Sequence, residues 1–92
     1  MFKTSKIENI NILGTDVPVI ISTWKCNHQE ADGLYECGKI YLREEYEDED
    51  HYRRVLFHEC IHALCEILGC QLDHHMEETL AHTVSTMMVK HF

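Results

Sequence analysis

Apolar and polar positions follow two different rhythms along this chain. From Lys6 to Arg43 the apolar residues fall in short, β-like groups. These are Ile7, Ile10 and Ile12, then the run Val17-Pro18-Val19-Ile20-Ile21-Ser22-Thr23-Trp24, then Ile40 and Leu42 around Tyr41. Gly14-Thr15-Asp16 supplies turn chemistry between the first two groups, and Pro18 suits the start or the edge of a strand. Asn27 to Gly33 reads as a polar loop. Two to three antiparallel strands are predicted, the last over Lys39–Arg43.

Beyond Asp50 the period becomes helical. Leu56, Cys60, Leu64 and Ile67 make one stripe, widened by Phe57, Ile61 and Leu68, and Gly69 follows as a left-handed terminator. Asp73 can cap a second helix running to about Lys90, with Leu80, Val84, Met87 and Met88 on its buried side. The acidic run Glu44–Asp50 reads as a solvated loop whose last carboxylates favour the positive end of the first helix. Strands followed by two packed helices define an α+β domain covering residues 1–92.

Composition narrows the function classes. At 92 residues the chain holds one core and a thin stability margin. Eight Lys plus Arg against sixteen Asp plus Glu leave a net charge of −8, which repels phosphate backbones and anionic lipid. Neither nucleic acid nor a membrane is expected as a partner. No export signal is apparent, and five cysteines without a repeated spacing read as reduced thiols in a cytoplasm. A second metal site from Cys26, His28 and Cys37 is a weaker reading than two semi-buried thiols beside a loop histidine.

The segment His58-Glu59-Cys60-Ile61-His62 carries the chemistry. On a helix, His58 and His62 stand one turn apart and about 40° apart in azimuth, so both imidazoles reach one cation. Glu59 lies about 60° from His62, beside such an ion, where a carboxylate takes a proton from a metal-bound water without displacing it. Zinc suits two imidazoles and lowers the pKa of a bound water to about 7. The two histidines also point away from the apolar stripe, to a face that ordinarily carries long charged side chains.

An open zinc site needs a third protein ligand. Cys65 shares the histidine face but lies two turns from His58, too far for one ion. On the second helix Glu77 falls inside the apolar stripe and Glu78 about 120° from the stripe's centre. A carboxylate among apolar residues needs a counter-charge, so Glu77 is the first choice and Glu78 the alternate. His74, His75 and His82 are expected to be mostly exposed.

The segment Val55-Leu56-Phe57-His58-Glu59-Cys60-Ile61-His62-Ala63-Leu64, then Leu68-Gly69, then Glu77 followed by Leu80, Ala81 and Val84, resembles the small HExxH proteins of phage and prophage genomes. These are minimal relatives of the ImmA/IrrE metallopeptidases, within the zincins. The resemblance implies a minimal zincin-like fold and a zinc-dependent peptide-bond hydrolase. Zn²⁺ would be held by His58, His62 and Glu77, with Glu59 as general base. It also implies a protein or peptide substrate in a host cytoplasm, aligned along an edge strand: either Lys39–Arg43 or the strand with Pro18. The alternative is a zinc-stabilised phage binding or regulatory module without turnover, in which Glu59 has no required role.

Overall fold

A computed structural model describes residues 1–69 and 73–91, with side chains as far as 87. Its architecture is α+β, as the chain's two rhythms require. The strands are β1 (Phe2–Lys3), β2 (Asn9–Ile12), β3 (Thr15–Ile21), β4 (Gly33–Glu36), β5 (Lys39–Leu42) and β6 (Glu45–Tyr46). The helices are α1 (Thr23–His28), α2 (Glu49–Leu68) and α3 (His74–His91). No helix among the described residues is long and apolar enough to cross a membrane.

The main sheet has the order β2-β3-β5-β4 and is mixed, not purely antiparallel as predicted. β2 and β3 form a hairpin, β3 runs parallel to β5, and β4 pairs antiparallel with β5 in the register Gly33↔Leu42 to Glu36↔Lys39. A parallel pair cannot be joined by a tight turn, and α1 lies in the crossover that joins this one. Ser22 caps α1 by accepting a hydrogen bond from the Lys25 N–H at 3.2 Å, so the chain leaves the sheet before Trp24 instead of continuing as strand. The segment read as a polar loop ends in β4, an edge strand. β1 and β6 make a separate two-stranded ribbon.

Val17, Val19, Ile40 and Leu42 of the sheet meet Tyr52, Val55, Leu56 and Ala63 of α2 in one core, with Cys60 and Ile67 packed against it. Leu68, expected in the widened stripe, is exposed. Asp48 caps α2 by accepting the His51 N–H at 2.8 Å, and Gly69 closes it in the left-handed region at φ 68°. Asp73 caps α3 through the Met76 N–H at 2.8 Å, as its position suggested.

α3 sits on α2 with a face that overlaps the predicted one only in part. Ala81 and Ser85 are buried, whereas Leu80 is 41% exposed and Met87 57% exposed. The Met88 side chain lies outside the described residues. The sheet occupies the apolar side of α2, so α2 offers α3 its histidine face. α3 answers with carboxylates and small residues, while Met76, Leu80 and Met87 are exposed.

Candidate metal centre and cleft

α2 has one side on the sheet and one on α3, and its motif residues divide between them. His58 and His62 project toward α3 with ring centroids 4.9 Å apart. Glu59 turns toward β4 and is only 6% exposed. A Cβ built on Gly33, the first residue of β4, would lie 2.5 Å from Val55 Cγ1 and 3.5 Å from Glu59 Cγ. Glycine therefore lets the edge strand close onto α2 directly beside the motif.

Glu78 of α3 bridges the two imidazoles. Its Oε1 is 2.8 Å from His62 Nε2 and its Oε2 is 3.2 Å from His58 Nε2. One ligand atom from each of His58, His62 and Glu78 lies within 4.8 Å of the others, the spacing needed to share one cation. Glu77 takes a different place: its Oε1 lies 2.6 Å from His62 Nδ1, on the other edge of that ring. The expected first choice and its alternate thus hold distinct positions, with Glu78 facing both Nε2 atoms. The wheel treated burial among apolar residues as the deciding signal, but both carboxylates are part-exposed and pair with the imidazoles of α2.

The electrostatics favour a cation. Glu59, Glu77 and Glu78 converge around two imidazoles, and none of the three pairs with a Lys or Arg among the described residues. Burial raises the Glu59 carboxyl to about 7, opposed by His62 and reinforced by the negative charge of Glu78. Burial also lowers the pKa of His58, against the pull of Glu78. Burial thus favours the neutral imidazole at His58, the donor state that a divalent ion requires.

These groups line a cleft of about 1040 Å³ between α2, α3 and β4. Gly33, Leu34 and Tyr35 form one wall, while His74 and His82 line it from α3 with largely exposed side chains. The 27–32 segment that leads into β4 is fastened by Arg43, whose Nη2 donates to the Ala31 carbonyl at 2.9 Å. Tyr46 adds a second tie, its hydroxyl donating to the Asp32 carbonyl at 2.6 Å and accepting the Arg43 N–H at 2.9 Å. Sequence patterning missed this wall, because Gly33-Leu34-Tyr35-Glu36 is too short and too irregular to announce a strand. Gly33 and the Gly38 turn were its only signals.

Among the described residues no thiol joins the centre. Cys65 is buried, as its distance from His58 along the helix required. Cys26 is fully buried with its thiol donating to the Tyr41 carbonyl at 3.8 Å, while Cys37 is exposed, so the Cys26-His28-Cys37 grouping does not form. Comparison of the chain with known protein families, with curated proteins and with solved structures finds no match.

Proposed function

We propose that this protein is a metal-dependent hydrolase of peptide bonds, with His58, His62 and Glu78 as the ligands of a divalent cation, zinc by donor type. The observation that carries this reading is Glu59, a buried carboxyl group next to the His₂Glu cluster and open to a cleft walled by an edge strand. A purely structural metal site has no use for that fourth group. When bound, the cation would polarise a substrate carbonyl and bring the pKa of a water to about 7.

The chain's own residues divide the remaining work. Glu59 takes a proton from the attacking water and passes it to the departing amine, which suits a carboxyl group titrating close to neutrality. Glu77 accepts the His62 Nδ1–H and so fixes the tautomer that leaves Nε2 available to the ion. β4, paired with β5 on one side only, offers main-chain groups to an extended peptide. That role was expected of Lys39–Arg43 or the Pro18 strand, but β5 and β3 are both interior to the sheet.

Glu59→Gln tests the reading. The variant is expected to retain stoichiometric metal while peptide cleavage falls by a factor of about 10²–10⁴. Cleavage at the wild-type rate would refute it. A metal-stabilised binding module is the second reading, favoured by ligands that come from two helices and would tie α3 to α2. It predicts that Glu59→Gln changes nothing, while loss of Glu78 lowers the melting temperature.

A further inference from the structure

We infer that Arg54 is a specificity-determining residue, which takes a substrate carboxylate on the C-terminal side of the scissile bond. This rests on the peptidase reading above and adds the substrate class to it. Among the described residues Arg54 is the only Lys or Arg lining the cleft, where the other charged residues are carboxylates. Its neighbour Arg53 pairs with Glu49 at 3.3 Å, but Arg54 has no hydrogen bond or ion pair among the described residues. A chain with a net charge of −8 has abundant partners for an arginine. This one is exposed in the cleft without a partner, one helical turn, about 6 Å of rise, before His58.

The direction of a bound peptide follows from the wall. β4 begins at Gly33 beside Val55 and Glu59, and reaches Tyr35, which lines the cleft with Glu66 and feels its charge. β4 and α2 therefore run the same way. A peptide that adds to the free edge of β4 in the stronger, antiparallel sense runs against both. Its N-terminal half then lies toward Glu66 and its C-terminal half toward Arg54. Guanidinium is suited to bidentate capture of a carboxylate, whether an Asp or Glu side chain or a free C-terminus.

The test uses zinc-loaded Glu59→Gln protein, which holds peptide without turnover, and short fluorescein-labelled peptides read by anisotropy. One peptide carries Glu in its C-terminal half, one carries Glu in its N-terminal half and one carries Gln throughout, each with a free or an amidated C-terminus. The first is expected to bind roughly tenfold tighter than the other two amidated peptides, with the advantage shrinking at high salt. If the free terminus is the true ligand, amidation removes the advantage instead. Arg54→Glu is expected to erase the preference with metal content unchanged, and Arg54→Lys to restore part of it.

Equal binding of all peptides, a preference for N-terminal Glu, or a preference that survives Arg54→Glu overturns the assignment. If peptides bind and wild type cleaves them in those cases, the peptidase reading stands alone. If none binds to metal-loaded protein, both fall.

Discussion

Glu77 and Glu78 are adjacent in the chain yet meet opposite edges of one imidazole: Glu77 Oε1 lies 2.6 Å from His62 Nδ1, and Glu78 Oε1 lies 2.8 Å from His62 Nε2. Helical neighbours diverge by about 100°, and a ring inserted between them is gripped from both sides. Only the Nε2 edge also faces His58.

The two carboxylates should therefore fail differently. Glu78→Gln is expected to lose stoichiometric zinc, whereas Glu77→Gln keeps it with an affinity lower by about 10–100-fold. Competition with a chelator of known affinity measures both. Retention of full affinity by Glu78→Gln would remove it from the ligand set.

Gly33→Ala should separate the wall from the helix. The added methyl group would come within 2.5 Å of Val55 Cγ1 and 3.3 Å of the Tyr41 carbonyl oxygen. Overpacking of this kind costs about 1–3 kcal/mol. Denaturant melts should show that loss, and a smaller one when Gly33→Ala is added to Val55→Ala, because the clashing atom is then gone. Peptide binding should weaken more than zinc binding.

Ala81→Leu addresses the seating of α3. Ala81 is fully buried against α2, one turn from Glu77 and Glu78. A larger side chain there lifts α3 and carries Glu78 away from the histidines, so zinc affinity should fall. Leu80→Lys, at an exposed position on the same helix, should leave it unchanged. Isothermal titration of both variants with zinc checks the pair.

Tyr46 gives a pH signature. Burial pushes its phenol well above the ordinary 10.0, partly opposed by the hydrogen bond from Arg43. A raised pKa in the folded state means that the folded protein holds the proton that the unfolded chain releases. The associated stability is complete below pH 10 and declines as pH rises beyond it. Tyr46→Phe should cost about 1–3 kcal/mol at neutral pH, because the Arg43 N–H and the Asp32 carbonyl lose their partner. The gap between variant and wild type should narrow at strongly alkaline pH, which urea melts across the range will show.

The helical half of the fold was legible in the sequence, since Asp48–Asp50, Gly69 and Asp73 are local end signals and the stripe through Leu56, Cys60 and Ile67 spans several turns. His58, Glu59 and His62 were legible for the same reason: their geometry is fixed inside one helix. The Glu77–Glu78 assignment depends on the rotation of α3, which is set by Ala81 and Ser85 fitting against α2. A wheel drawn for one helix cannot weigh that contact. The edge strand depends on pairing with β5 and on tethers from Arg43 and Tyr46, all outside its own four residues. Local periodicity holds no record of such partners.

The proposed metal ligands and the strand that walls the cleft come from separate stretches of this chain. The groups proposed to bind the ion and carry the proton all belong to α2 and α3, while the main-chain wall belongs to β4. Exchanging the half-buried Leu34 and Tyr35 would thus reshape the cleft wall while the His and Glu groups proposed to hold the ion stay in place on α2 and α3, a modularity that favours rapid diversification and makes the short strand a natural place for engineered libraries.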